Sequence, residues 1–116
     1  MPIIDHRTDP PAVPAEGRSS RRFITKDTGA ASLTVGELVM HDGAALRLHT
    51  HPHDEAIILL EGSIEMVVGD ETRTVTSGHT LLAPPGVPHR LVNSSGADAK
   101  MYTVMPTDNP STDYVD

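Results

Sequence analysis

The chain has no cysteine among its 116 residues. A disulfide framework and a thiolate metal site are therefore excluded, and any metal ion must be bound by imidazole and carboxylate groups. The absence of cysteine also fits a reducing compartment. No apolar run approaches the roughly 18 residues of a membrane span, and the N-terminus lacks the pattern of a secretory signal. We therefore expect a cytoplasmic protein without a membrane segment.

Aromatic and basic side chains are also scarce. Phe23, Tyr102 and Tyr114 are the only aromatic residues, which argues against a stacked nucleotide or flavin and predicts a core of aliphatic and methionine side chains. The 16 acidic residues outnumber the 9 basic ones, and the net charge of -7 opposes binding to nucleic acid. We expect a small polar or acidic metabolite as the ligand. A modest hydrophobic share of 37% favours dimerisation.

Turn residues divide the chain between Phe23 and Val104 into short apolar stretches. Turn signals recur about every 8 to 12 residues, and no window carries a sustained helical repeat. This pattern predicts an all-β sandwich or barrel of antiparallel strands with little or no helix. Glu61-Gly62 and Gly69-Asp70 are predicted tight hairpin turns, because glycine accepts positive φ.

The length is that of one ordinary domain, with a segment of different composition at each end. Residues 1–20 are rich in proline and are predicted to form an extended arm. Residues 21–106 are predicted to form the barrel. Residues 107–116 are rich in Pro, Asp, Ser and Thr and are predicted to be an irregular tail.

Two linked patterns occupy the middle of the chain. Their ten positions are Gly43, His49, His51, Glu55 and Gly62, followed by Gly78, Pro84, Gly86, His89 and Asn93. Ten coincident positions are improbable by chance in so short a chain. We interpret the glycines as turn positions that shape the site without touching it, and Asn93 as a side chain that closes a turn by bonding to the backbone.

Four of these positions suit a divalent transition metal. On a strand, His49 and His51 project from the same face about 7 Å apart, so both imidazoles can meet one ion. Glu55 follows a bend, and His89 would come from a distant strand. We predict that His49, His51, Glu55 and His89 bind one ion per chain and leave two or more positions open. For an isolated His-x-His pair, two solvated histidines would be the simpler interpretation.

His53 is ambiguous, because it could pair with His51 by the same spacing rule. The spacing favours the pair formed by His49 and His51. His53 then either orients a ligand of the metal without binding the metal itself, or lies on the surface. His6, His41 and His79 have no matched partners and are interpreted as surface or turn residues.

The two patterns resemble the signature motifs of the cupin superfamily, Gly-x5-His-x-His-x3-Glu-x6-Gly and Gly-x5-Pro-x-Gly-x2-His-x3-Asn, with no departure. The short region between the motifs is similar to that of small, single-domain microbial cupins. The resemblance implies a double-stranded β-helix, or jelly-roll barrel, with a metal bound by His49, His51, Glu55 and His89. It also implies a homodimer that exchanges N-terminal strands.

The resemblance does not choose a metal or a reaction. Mn or Fe is favoured in the cell, and Ni, Zn, Co or Cu are also compatible with the ligand set. The first hypothesis is a metal-dependent enzyme with dioxygenase, lyase, decarboxylase or isomerase chemistry, in which Glu55 could also accept a proton. The alternative is a non-catalytic binding or sensor protein. A third possibility, an aromatic polyketide cyclase or a similar biosynthetic helper, rests on the family analogy alone.

Strand parity suggests which residues line the pocket. Counting back by twos from His49 places Arg47 on the inward face, where it could pair with an anionic substrate, unless a bulge turns it to solvent. The candidate apolar lining, again from parity, consists of Ile57, Leu59, Met66, Leu91 and Met101. Each of these residues could equally belong to the core.

Overall fold

Buried and less buried side chains alternate along the strands of the computed structural model, which describes residues 1–115. On the strand that begins at Glu55, for example, Ile57 and Leu59 are buried, and Ile58 between them is only half-buried. The sole helical element in this part of the chain is the 3₁₀ turn Lys26–Thr28. The strands are β1 (Val13–Ala15), β2 (Arg18–Ile24), β3 (Thr34–Met40), β4 (His49–Thr50), β5 (Glu55–Glu61), β6 (Ser63–Val68), β7 (Glu71–Thr76), β8 (Thr80–Ala83), β9 (His89–Val92), β10 (Ala99–Met105) and β11 (Asp113–Tyr114).

The strands form two antiparallel sheets that face each other. One sheet has the order β1-β2-β3-β10-β5-β8, and the other has the order β11-β4-β9-β6-β7. Several neighbours are far apart in sequence, as when β3 pairs with β10 and β4 pairs with β9. The predicted all-β jelly-roll architecture is confirmed. No helix within residues 1–115 has the length and hydrophobicity to cross a membrane.

The hydrophobic core lies between the two sheets. Each sheet contributes alternate residues of its strands, as β-strand geometry requires. Methionine replaces the missing aromatic rings, which suits it because its unbranched side chain fills irregular gaps. The buried cluster comprises Met40, Ile57, Leu59, Ile64, Met66, Val75, Leu91, Ala99 and Met101.

The two predicted hairpin turns have different outcomes. Gly69-Asp70 joins β6 to β7 as a two-residue hairpin, because Val68 pairs with Glu71, so this prediction is confirmed. The prediction for Glu61-Gly62 is wrong, because β5 and β6 belong to different sheets. Gly62 has a φ of 86° and carries the chain around the corner from one sheet to the other.

Both terminal segments contribute strands. The segment 1–20 contains β1 and the first residues of β2, and these two strands form a hairpin at the edge of the six-stranded sheet. The segment 107–116 contains β11, which pairs with β4 through Asp113 and Tyr114. The C-terminal segment thus runs beside the strand that carries His49.

Candidate metal centre

Sheet pairing brings the two sequence patterns together. His49 on β4 is directly opposite His89 on β9 in the five-stranded sheet. His51 follows immediately after β4, and Glu55 begins β5 in the facing sheet. One ring nitrogen from each of the three histidines lies within 4.8 Å of the others, and all three side chains are buried. The site therefore lies between the sheets, with His49 and His89 on one sheet, His51 just beyond the end of β4, and Glu55 on the other sheet.

The Nδ1 atom of each of the three imidazoles forms a hydrogen bond with a backbone carbonyl group. Nδ1 of His49 donates to the Arg47 carbonyl at 2.7 Å, and Nδ1 of His89 donates to the Val87 carbonyl at 3.1 Å. Nδ1 of His51 donates to the carbonyl of Ser111 at 2.6 Å. Because a carbonyl oxygen can only accept, these bonds place the proton of each neutral ring on Nδ1 and leave a lone pair on Nε2.

Glu55 faces two of these Nε2 atoms. Its Oε1 atom is 3.6 Å from Nε2 of His51 and 3.4 Å from Nε2 of His89. Nε2 of His89 is buried and has no hydrogen-bond partner. Lone pairs that face a carboxylate oxygen in a buried site require a cation between them, either a proton or a metal ion. Three imidazole nitrogens and one carboxylate are suitable ligands for a divalent transition metal, so the residues present fit such an ion.

The pKa values of the site residues reflect their burial and the closeness of the Glu55 carboxylate to the histidine rings. Burial acts to raise the pKa of Glu55, but polar contact with the imidazoles of His51 and His89 outweighs it and lowers the pKa to about 2. The pKa of His51 is raised, chiefly by its contact with Glu55. Burial lowers the pKa of His49. The site therefore holds an ionised carboxylate in contact with the imidazoles of His51 and His89.

These four residues line a cavity of about 280 Å³. Ile57 and Leu91, which were predicted to line the pocket, form part of its wall together with Leu38 and Leu46. Leu59, Met66 and Met101 were predicted as lining on the same grounds, but they do not line this cavity. Like Ile57 and Leu91, they belong to the buried core cluster. Strand parity identified the inward residues but not their depth in the barrel.

Arg47 lines a different cavity from the one that parity suggested. Residues 46–48 are not in a strand, so counting by twos from His49 does not apply to them. Arg47 is exposed, and its guanidinium carbon lies 4.1 Å from the centre of the Tyr114 ring. Both residues line a neighbouring cavity of about 730 Å³, which shares with the first cavity the wall formed by Leu38, Leu46, His49 and Thr112.

His53 lies beside the histidine cluster but is not part of it. Its ring stacks on that of His51 at a centroid distance of 5.1 Å, and its Nε2 atom accepts a hydrogen bond from the Ser111 backbone at 3.4 Å. Ser111 thus contacts both histidines. Sequence patterns do not indicate this role of Ser111, because residues 107–116 carry no apolar pattern that would place them against the barrel.

Comparison with known proteins agrees with this geometry. The family model described as a cupin domain matches residues 29–105. Protein SchB of Streptomyces halstedii is 30% identical over 95 residues, which are 80% of this chain and 69% of that protein. Polyketide synthase CurC of Streptomyces cyaneus is 30% identical over 104 residues, which are 86% of this chain and 68% of that protein.

A solved structure matches the whole chain. The structure of the polyketide cyclase RemF from Streptomyces resistomycificus aligns with a TM-score of 0.88 at 27% sequence identity, over 100% of this chain and 87% of the other. This alignment includes both terminal segments as well as the barrel.

Proposed function

The chain belongs to the cupin domain family, and from this premise we propose that it is a metal-dependent cyclase that closes a ring in a polyketide. The observation that carries the proposal is the buried cluster of His49, His51 and His89 facing Glu55. Such a cluster on the wall of a cavity could hold a metal ion, and that ion would bind the carbonyl oxygens of a polyketide chain. The similarity to RemF over the whole chain supports the choice of a polyketide.

Ring closure needs a proton to leave a carbon between two carbonyl groups, after which that carbon attacks a third carbonyl of the same chain and forms a carbon–carbon bond. The oxygen of the attacked carbonyl takes up a proton to become a hydroxyl group, which then leaves as water together with a second proton from the attacking carbon. A divalent metal bound by the three histidines and Glu55 would act as a Lewis acid on the carbonyl oxygens. Of the metals compatible with this ligand set, we propose Mn or Fe in the cell. We also propose that Glu55 accepts the proton after its carboxylate has detached from the metal.

The remaining wall residues fold the substrate and exclude water. Ile57, Leu91 and Leu46 give the cavity an apolar surface, against which a carbon chain can fold so that its reacting atoms meet. A cavity of 280 Å³ is small for a long polyketide, since ligand cavities typically measure about 300 to 1,000 Å³. The adjoining 730 Å³ cavity, which includes Arg47 and Tyr114, offers room for the part of the chain that does not react.

The test combines metal content with product analysis. Tag-free protein is analysed for metals by plasma mass spectrometry beside His49→Ala and His51→Ala variants, and each protein is then incubated with a linear chain of alternating ketones. We expect about one equivalent of metal in the wild type, less in both variants, and a cyclised aromatic product lighter than the substrate by one water.

Two results would contradict the proposal. Full metal content in His51→Ala would exclude the assigned ligand set. Substrate binding without any product would exclude a cyclase for this substrate and favour the non-catalytic binding protein.

A further inference from the structure

One row of residues crosses the inner face of the six-stranded sheet beside the metal centre. Arg22 on β2 is opposite Gly36 on β3, Gly36 is opposite Thr103 on β10, and Thr103 is opposite Ile57 on β5. All four residues line the 280 Å³ cavity that also contains the three histidines. Because residues in one cross-strand row point to the same face, Arg22 and Thr103 approach the cavity from either side of Gly36.

Arg22 has a different environment from the arginine that precedes it. Arg21 is bound by Glu37 through two hydrogen bonds of 3.1 and 3.0 Å, so its charge is neutralised within the protein. Within residues 1–115, no carboxylate lies within 4.0 Å of the Arg22 guanidinium. In a chain with a net charge of -7, an arginine that faces a cavity without an acidic partner is suited to an anion from outside.

Gly36 keeps the space between the two polar side chains open. A Cβ atom at this position would lie 2.7 Å from the carbonyl oxygen of Arg21, 3.4 Å from the Thr103 hydroxyl and 3.6 Å from Cγ of Arg22. The first of these distances is too short for any side chain to be accommodated without moving the backbone. The gap above Gly36 is therefore bordered by the aliphatic stem of Arg22 on one side and by the Thr103 hydroxyl on the other.

We infer that Arg22, Gly36 and Thr103 form a carboxylate subsite at the mouth of the metal cavity, so that the substrate carries an acid group remote from its reacting carbonyls. The inference rests on the proposed function and specifies its substrate as an anionic polyketide. A guanidinium binds a carboxylate through two parallel hydrogen bonds, and the Thr103 hydroxyl can donate a third.

Two small ligands that differ only in a carboxylate group test the contact between Arg22 and the substrate. Catechol binds metals through its two hydroxyl groups, and protocatechuate is the same molecule with a carboxylate on the far side of the ring. Affinities for both are measured by calorimetry with the zinc-loaded and the zinc-free protein. In both states we expect protocatechuate to bind about tenfold more tightly than catechol, because hydrogen bonds between charged groups are stronger than those between neutral ones.

Four variants locate the source of this preference. Arg22→Gln should abolish the preference without changing the affinity for catechol, and Arg22→Lys should retain part of it. Thr103→Val should reduce the preference severalfold. Arg90→Gln is the matched control, because it removes the same charge from an exposed position on β9 between the inward residues His89 and Leu91, and it should leave the preference unchanged.

The outcomes separate the inference from the proposed function. A preference that survives Arg22→Gln, an equal loss in Arg90→Gln, or the failure of protocatechuate to bind would overturn the carboxylate subsite. A chain that holds no metal or forms no cyclised product would contradict the proposed function instead, while the preference for the carboxylate would still be measured in the zinc-free protein.

Discussion

Asn93 is a buried polar residue whose side chain and backbone both bond to other parts of the backbone. It is completely buried, its amide donates to the carbonyls of Met40 at 2.9 Å and Ala97 at 2.8 Å, and its side-chain oxygen accepts from the Ser95 backbone. Its own backbone pairs with Gly43 and Ala44. The prediction that Asn93 closes a turn through backbone bonds is confirmed. The sequence indicated this role because an amide can both donate and accept.

Glu37 offers a test of electrostatics away from the metal centre. Burial acts to raise its pKa, but the hydrogen bonds and charge of Arg21 outweigh it, with a further contribution from Lys100, so the pKa lies below the usual value. A lowered pKa means that the carboxylate stabilises the fold above the ordinary carboxyl pKa and that this stabilisation is lost as the pH falls. We expect Glu37→Gln to cost on the order of 2 kcal/mol at pH 7 and progressively less toward pH 3.

Urea unfolding of the wild type and the variant across this pH range measures the effect. Glu71→Gln, which changes an exposed carboxylate on β7, serves as the control and should change the free energy of unfolding little at any pH. A cost for Glu37→Gln that stays constant with pH would show that the ionised carboxylate is not its source.

Gly62 and Gly78 allow a comparison at the scale of the strand connections. Their φ angles are almost equal, at 86° and 87°, but a Cβ at Gly62 would lie 2.5 Å from the carbonyl oxygen of Asp98, whereas one at Gly78 would have nothing within 4 Å. We expect Gly78→Ala to cost about 1 kcal/mol for the backbone conformation alone. Gly62→Ala should cost about 3 kcal/mol or more, because a clash with the backbone is added.

Denaturant unfolding of both variants measures the two costs. Equal losses of stability would mean that the close approach at the sheet corner is unimportant, and that the conformation of the glycine determines the whole effect.

The C-terminal segment should influence the metal centre through Ser111. Its carbonyl accepts from Nδ1 of His51, and outer partners of this kind typically change metal affinity by about 10-fold to 100-fold. We expect truncation after Asn109 to weaken metal binding by about this factor while the barrel stays folded. Truncation after Asp113 retains Ser111 and should have a smaller effect.

Metal dissociation constants measured by competition with a chelator, together with thermal unfolding, separate binding from stability. Wild-type metal affinity in the shorter truncated protein would show that Ser111 does not position His51.

The sequence predicted turns better than it predicted sheet membership. A glycine with positive φ marks a change of direction at both Gly62 and Gly69, but it does not indicate whether the next strand returns along the same sheet. The alternating pattern of β6 suits either sheet, so only the three-dimensional pairing decides. The row from Arg22 to Ile57 was missed for the same reason, because it depends on the register of four strands.

At the scale of the whole molecule, the N-terminal hairpin makes the predicted dimer testable. β1 is an edge strand and fully exposed, and the side chains of Ile3 and Val13 are 80% and 64% exposed. An exposed edge with apolar side chains favours pairing with a second chain. We expect sedimentation velocity to give a mass twice that of the 12.4 kDa chain, and deletion of residues 1–16 to give a monomer.

A monomer at micromolar concentration would contradict the dimer. Since β1 and β2 are part of the six-stranded sheet, circular dichroism of the shortened chain must first show that the barrel persists.

The shortage of aromatic rings gives the protein a simple optical signal. Without tryptophan, its intrinsic fluorescence comes from Tyr102 and Tyr114 alone. The ring of Tyr114 lies 6.3 Å from that of His49, whereas Tyr102 is on β10 and contacts His6 and Phe23. A paramagnetic ion at the histidines would quench Tyr114 and spare Tyr102. Emission from the unlabelled chain could therefore follow the arrival and departure of the metal in real time.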